Sequence, residues 1–161
     1  MSFHVRRTDK EIQDAATLKK ILKSCAYVTI AFSKDNQPYL VSLSYGYDDV
    51  RNCLFFHCAG EGKKLQYMRS NNAVWGQAII DHGYAQGKCS HLYASVHFSG
   101  KASLLKSLEE KSEAMKCMIN QLDKNPEQLI ADLKPERLKN TMMGRIDIED
   151  MTGKKSKEVT V

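Results

Sequence analysis

The amino-acid sequence predicts a mainly β protein with flanking α-helices, in which an antiparallel sheet of about six strands closes into a small barrel and about four helices pack outside it. The first observation behind this prediction is that strand-like segments follow one another as meanders, without the regular strand–helix alternation of a parallel sheet. The second is that 42% of the 161 residues are hydrophobic, which suffices for one core. We therefore expect a single domain over residues 1–161, ending in a flexible polar tail over 153–161.

Charge and the lack of long apolar segments restrict the partners. The net charge is +5, but the lysines are spread along the chain and not gathered with aromatic residues, so nucleic acid is disfavoured while an anionic ligand is compatible. No apolar segment reaches the roughly 18 residues of a membrane span, and residues 1–7 lack the apolar core of a signal peptide. We expect a cytoplasmic protein with no membrane partner, whose five cysteines are free thiols.

The chain begins with a predicted helix and a hairpin. A capping-box pattern at Thr8–Glu11 predicts a helix over about residues 9–23. Residues 25–32 are β-branched and aromatic, as in a strand, and Asp35-Asn36 supplies turn chemistry before a second strand that opens at Pro38. This second strand alternates, with one face formed by Tyr39, Val41, Leu43 and Tyr45 and the other by Leu40, Ser42 and Ser44.

Three further segments complete the central part of the predicted sheet. We expect a third strand over residues 53–58, a fourth over 73–80 and a longer loop over 81–91, of a kind that often borders functional sites. The fifth strand has the clearest alternation, with one face formed by Leu92, Ala94, Val96 and Phe98 and the other by His91, Tyr93, Ser95, His97 and Ser99.

Two capping patterns predict the C-terminal helices. Ser107 and Glu110 form a capping box that starts a helix ending at about Leu122. Asn125-Pro126 opens a short helix, with proline at the first helical position. Residues 141–150 return to a strand, and the polar tail follows from 153.

A strand–turn–helix segment around two glycines indicates a binding site. The turn (residues 59–62, here the glycine turn) contains Gly60 and Gly62 and is followed directly by Lys63 and Lys64. Glycines let the backbone approach a ligand closely, and the unpaired N–H groups of a helix N-terminus suit an anion. The segment therefore predicts a phosphate site, in which one of the adjacent lysines faces the anion. The alternative is an ordinary strand-to-helix connection with solvated lysines.

Other polar residues are candidates for ligand binding, and each also has an ordinary structural explanation. Ser42 and Ser44 could offer hydroxyls to a planar ligand or form a solvent-facing strand edge. His57 could bind a ligand or be a satisfied histidine at a strand end, and Tyr93 and Ser95 could complete a pocket or face water. The histidines and cysteines show no recognised metal-ligand spacing, so we expect no metal site and no Cys–His nucleophile.

Three segments in order carry a resemblance to one family: Pro38–Tyr45, Phe56–Lys64 and Tyr93–Ala102, joined by Arg6–Asp9 and Ile146–Lys154. Together they resemble the flavin-binding split-barrel proteins related to pyridoxamine 5′-phosphate oxidase, and within these the nitroimidazole-resistance proteins. The resemblance covers nearly the whole chain and rests on the order and spacing of the segments.

The resemblance implies a six-stranded antiparallel split β-barrel of the FMN-binding type, and a homodimer with FMN at its interface. It carries FMN-binding roles over to Val41, Ser42, Leu43, Ser44, His57, Lys63, Lys64, Tyr93 and Ser95. Among these, the lysines match the pair that holds the FMN phosphate. The subgroup usually has proline where this chain has Ser42. No match is found to the residues with which the true oxidase holds its substrate phosphate, so pyridoxamine oxidation is not expected.

The implied activity depends on the cofactor. FMN carries hydride or single electrons while the protein positions it, so no side chain is required as acid or base. The resemblance suggests reduction of a small substrate such as a nitroaromatic, with NADH or NADPH as a candidate donor. The competing hypothesis is a non-catalytic protein that stores or senses flavin, haem or a deazaflavin.

Overall fold

A computed structural model describes residues 5–161. Residues 1–4 lie outside the described residues, and they belong to the N-terminal segment that we predict not to be a signal peptide. The strands are β1 Tyr27–Lys34, β2 Gln37–Ser44, β3 Gly46–Asp48, β4 Cys53–Cys58, β5 Ala73–Ala85, β6 Ser90–Leu104 and β7 Met142–Lys155. The helices are α1 Ala15–Ser24, α2 Lys63–Ser70, α3 Leu108–Leu122, α4 Pro126–Ala131 and α5 Pro135–Asn140, with a 3₁₀ turn at Thr8–Lys10.

The strands form one antiparallel sheet of seven strands, in the order β2-β1-β5-β6-β7-β4-β3. The mainly β prediction with flanking helices is confirmed, but the count of six strands is wrong. The additional strand is β3, whose three residues are too few to show a periodicity. Within residues 5–161 no ladder joins the outer strands β2 and β3, so the sheet is not closed by hydrogen bonds into the predicted barrel.

The sheet folds around one main hydrophobic core and a smaller one. The main core receives α1 and α2 through fully buried residues such as Ile21, Leu22 and Leu65. In the smaller core, α3 covers Cys53 and Phe55 of β4. Gly46 allows this close packing, because a Cβ there would lie 2.6 Å from the main-chain nitrogen of Met118.

Helix α1 begins at Ala15, six residues later than the capping pattern predicts. Asp14 is its N-cap, accepting hydrogen bonds from the main-chain nitrogens of Ala16 at 3.3 Å and Thr17 at 2.9 Å. Residues 8–10 form only a 3₁₀ turn without a side-chain cap. A β-bridge between Glu11 and Lys154, and the hydrogen bond from the main-chain nitrogen of Ile12 to Gly153, hold the chain extended here.

We expect Asp14→Ala to lower the midpoint of thermal unfolding by about 2–4 °C, since the loss of an N-cap leaves helix N–H groups without a partner. Thr8→Ala is the matched control and should leave the midpoint unchanged, because Thr8 caps no helix. Thermal unfolding followed by circular dichroism measures both. An equal loss in the two variants would contradict the assignment of Asp14 as the cap.

The loop predicted over residues 81–91 is instead the end of a long hairpin. Strands β5 and β6 pair as far as Ala85 and Ser90, with a register shift between Asp81 and Tyr84. Gly83, with φ of 83°, lies in this shift, where a bulge requires a left-handed residue. The glycine therefore marks a bulge within the strands and not the end of the sheet.

The C-terminal segment differs from prediction in two ways. Residues 135–140 form the additional helix α5, which directly follows the short helix α4. The sequence predicts a polar tail from residue 153, but residues 153–155 continue β7. Beyond them Ser156 and Val159 are 2% and 5% exposed. The tail packs because Ser156 bonds to Tyr93 of β6 and Val159 joins the main core, which local polarity does not show.

Candidate functional site

The glycine turn joins β4 to α2 and lies beside the edge strand β2. The predicted strand–turn–helix order is confirmed, since β4 ends at Cys58 and α2 begins at Lys63. The Nζ atom of Lys63 lies 4.9 Å from the ring centroid of Tyr39 on β2 and 5.4 Å from that of Tyr67 on α2. These contacts bring the turn to β2, which no sequence spacing predicts.

The turn leaves open space and free donors at the start of α2. Gly62 has φ of 134°, which only glycine adopts without strain, and a Cβ added at Gly60 or Gly62 would meet no atom within 4 Å. No side-chain hydrogen bond caps the helix, whose first main-chain bond runs from Gln66 to Gly62. The N–H groups of the first turn are therefore available to a ligand.

Lys64 is half-buried, whereas Lys63 is exposed. Its Nζ lies 5.3 Å from the ring centroid of Phe56, and it is close enough to Cys58 for the two groups to interact electrostatically. Burial lowers the pKa of Lys64, while Cys58 acts in the opposite direction. Among the described residues no carboxylate lies within ion-pair distance of Lys64. A half-buried cation without a counter-ion favours an anionic ligand.

Strand β2 shows the predicted alternation. Val41 and Leu43 turn towards the core, while Ser42 and Ser44 are exposed. The Oγ of Ser42 lies 3.1 Å from the Oγ1 of Thr29 on β1. Because β2 pairs with β1 alone among the strands of residues 5–161, the main-chain groups on its other edge lie outside the ladders of the sheet.

The remaining candidates lie at different distances from the turn. His57 is exposed near the end of β4, one residue before Cys58. Tyr93 and Ser95 lie on β6, which β1 and β5 separate from β2. Ser95 is 3% exposed, and Tyr93 is bound through its main chain to Ser156. Within one chain, the last two residues are not brought to the glycine turn.

One face of the sheet exposes large apolar side chains that the sequence does not single out. We call it the outer face; Tyr27, Leu40, Trp75 and Ile79 lie on it and are 59%, 65%, 37% and 45% exposed. Leu40 pairs with Ala31, and Ala31 with Trp75, so three strands contribute to one row. Trp75 also donates a hydrogen bond to His97. The alternation of β1, β2 and β5 is the signal that could have located this face.

Two classes of site are not found in the described part of the chain. Over residues 5–161, no three His, Cys, Asp or Glu side chains are arranged to hold a metal ion. None of the helices in that range has the length and apolar character needed to cross a membrane.

Residues 14–155 match the sequence profile of a family described as pyridoxamine 5′-phosphate oxidase. The chain belongs to this family. The match covers the sheet, the glycine turn and helices α1 to α5, so the pyridoxamine 5′-phosphate oxidase fold accounts for all the elements that form the candidate site. No curated protein matches the chain.

Several solved structures have a fold similar to that of this chain. A candidate 5-nitroimidazole antibiotic resistance protein from Bacteroides thetaiotaomicron is 22% identical with a TM-score of 0.76, and the match covers 89% of this chain and 85% of that one. A flavocytochrome from Azotobacter vinelandii is 14% identical with a TM-score of 0.80, over 98% and 75% of the chains. An FAD-binding protein from Mesorhizobium loti is 26% identical with a TM-score of 0.64, over 89% and 95%.

Proposed function

We propose that this chain is an FMN-dependent oxidoreductase that reduces a small substrate, such as a nitroaromatic, with the flavin held at a homodimer interface in the cytoplasm. The observation that carries the proposal is the half-buried Lys64, which has no counter-ion in the described residues and lies beside an uncapped helix N-terminus. A phosphate would supply that counter-ion and accept hydrogen bonds from the free N–H groups.

The residues present fit the two parts of FMN. Lys63, Lys64 and the main chain of the glycine turn would hold the phosphate, since the space around Gly60 and Gly62 is open. Glu61 is the one acidic group in the turn, and its side chain is exposed and free to turn to solvent. The main chain of residues 41–44 on the edge strand would lie along the flavin ring, next to the turn.

When bound, FMN would supply hydride or single-electron transfer. The chain's own residues would orient the ring and keep it beside β2, while Lys64 offsets the phosphate charge. His57, at the end of β4, would lie beside the flavin, as the family resemblance suggests. Two of the solved structures similar to this chain are named as a flavocytochrome and an FAD-binding protein, which supports a flavin as the cofactor.

A second copy of the chain would complete the site. Tyr93 is partly exposed and separated from β2 by two strands, so it would reach the flavin of another copy more readily than its own, whereas Ser95 is too buried to do so. The outer face exposes the apolar residues that such a copy would cover. Interfaces of permanent dimers are large and apolar.

We expect Leu40→Glu to weaken dimerisation by about 100-fold or more, because each dimer would bury two unpaired carboxylates. Sedimentation velocity over a concentration series measures the dissociation constant. Val50→Glu is the matched control, since Val50 is 92% exposed and lies outside the outer face. A wild-type protein that binds FMN as a stable monomer would refute the dimer.

The absorption spectrum of the purified protein, followed by mass analysis of the released ligand, tests the proposal. Flavin bands and the mass of FMN are the expected result, and reduction of the bound flavin by NADH or NADPH would support catalysis. A colourless protein that takes up no added FMN would refute flavin binding. A Soret band would indicate haem, and a flavin that no donor or acceptor turns over would indicate storage.

A further inference from the structure

His97 lies on the central strand β6, on the outer face of the sheet, with both ring nitrogens in hydrogen bonds. The indole Nε1–H of Trp75 donates to Nδ1 of His97 at 3.3 Å. On the other side, Nε2 of His97 lies 3.1 Å from the amide nitrogen Nε2 of Gln77. Gln77 is directly opposite His97 in the β5–β6 ladder.

The contact with Trp75 determines the protonation state of the ring. An indole N–H only donates, so Nδ1 of His97 must be the unprotonated nitrogen. The single proton of the neutral ring is then on Nε2, and a 180° rotation of the Gln77 amide group brings its oxygen to that proton as the acceptor. A second proton would occupy Nδ1, remove the acceptor of the Trp75 bond and place two N–H groups against each other.

Burial and one of two neighbouring charges oppose a second proton on His97. On β7, Thr152 is opposite His97, while Lys154 and Asp150 flank that position on the same face. The cation of Lys154 disfavours an imidazolium, whereas the carboxylate of Asp150 favours one. Neither Trp75 nor Gln77 on β5, nor Ser95 and Ser99 on β6, carries a charge at neutral pH. Burial, and after it the charge of Lys154, lowers the pKa of His97.

We propose that His97 makes the self-association of this chain sensitive to pH: the neutral imidazole holds Trp75 in the outer face, and a proton on Nδ1 breaks that arrangement and separates the two copies. The inference rests on the proposed homodimer. Trp75 is 37% exposed in the single chain, so the orientation of its indole shapes the surface that a second copy meets. Burying an imidazolium in an apolar interface would also cost free energy.

The sign of the effect follows from the further burial that a second copy adds. Burial disfavours the imidazolium, so the dimer binds fewer protons than the separated chains. Association is at full strength above the pKa of His97 in the separated chain, which is lowered from the ordinary 6.5, and is lost as the pH falls below it. Each dimer contains two copies of His97. The dissociation constant should therefore rise by up to about 100-fold per pH unit within this window.

Sedimentation of the full chain between pH 8 and pH 5 tests the proposal, with the fluorescence of Trp75, the only tryptophan, measured on the same samples. Because an imidazolium quenches a neighbouring indole, the fluorescence should fall as the dimer dissociates. In His97→Asn, which keeps an acceptor for the indole without titrating, dimerisation should lose its pH dependence. His91→Asn, on the same strand, is the control and should behave as wild type.

Three outcomes would overturn the proposal, and they are distinguishable. If the dimer persists to pH 5 while Trp75 fluorescence titrates, His97 ionises without controlling association. If His97→Asn dissociates at the same pH as wild type, another group is responsible. If wild type is monomeric at pH 8, the homodimer itself is wrong. Circular dichroism at each pH separates dissociation from unfolding.

Discussion

The double variant Lys63→Ala/Lys64→Ala is expected to bind FMN about 10- to 100-fold more weakly than wild type, with little change in riboflavin binding. The phosphate of FMN carries nearly two negative charges at neutral pH, and riboflavin lacks it. A charge-assisted hydrogen bond is worth roughly 1.5–3 kcal/mol, and 1.4 kcal/mol corresponds to a tenfold change in affinity. Titration of both ligands into wild type and variant measures the difference.

The single variants Lys63→Ala and Lys64→Ala should differ in FMN affinity, because the two lysines have different surroundings. Lys64 is half-buried without a counter-ion among the described residues, so its loss should have the larger effect. Lys63 is exposed between the rings of Tyr39 and Tyr67, and an anion would gain less from it. Lys20→Ala, an exposed helical lysine in α1, is the matched control.

Each alternative outcome has a distinct meaning. Equal losses for FMN and riboflavin would mean that the lysines only shape the glycine turn. An unchanged FMN affinity would mean that the phosphate binds elsewhere. Circular dichroism is the folding control, and the fold should survive, since a lysine in the first turn of a helix interacts unfavourably with the helix dipole.

Phe56→Ala should lower the free energy of unfolding by about 3–5 kcal/mol, the largest stability effect we expect from one substitution near the site. The ring is 1% exposed and lies over Gly144, where an added Cβ would be only 2.3 Å from Cζ of Phe56. Its removal costs the transfer free energy of the ring and leaves a cavity between β4 and β7. Urea denaturation measures the change.

Two comparisons control this prediction. Phe56→Leu should lose less than Phe56→Ala, because it fills part of the cavity. Val50→Ala should change the free energy by no more than about 0.5 kcal/mol, since Val50 is 92% exposed. A loss under 1 kcal/mol in Phe56→Ala would show that the core around β4 collapses to fill the space.

Where short-range patterns decide the structure, the sequence is a good guide. The alternation of β2 and the start of α2 after Gly62 follow from side-chain period and glycine conformation, and the structure has both. The capping box at Ser107 is also observed, since its hydrogen bonds join residues three positions apart. Family and fold can be predicted because these local signals occur in a particular order.

Patterns also mislead where distant contacts compete with them. Thr8–Glu11 satisfies the capping rule, yet Glu11 forms a β-bridge with Lys154 and the helix begins only after its N-cap Asp14. Gly83 suggests a loop, yet pairing with β6 continues past it. At Glu11 a bridge to the distant strand β7 outweighs the local preference, and at Gly83 the pairing within the β5–β6 hairpin does.

By itself, the sequence determined most of the strands, the helix that follows the glycine turn, and the types of residue available to a phosphate. Only the tertiary structure decided that the turn lies beside β2 and that Lys64 is half-buried while Lys63 is exposed. It also decided that two strands separate Tyr93 and Ser95 from β2. The reason is physical: burial and pKa depend on which strands meet. The glycine turn and β2, like the paired strands β4 and β7, are distant in sequence, so no local pattern shows the surroundings of Lys64.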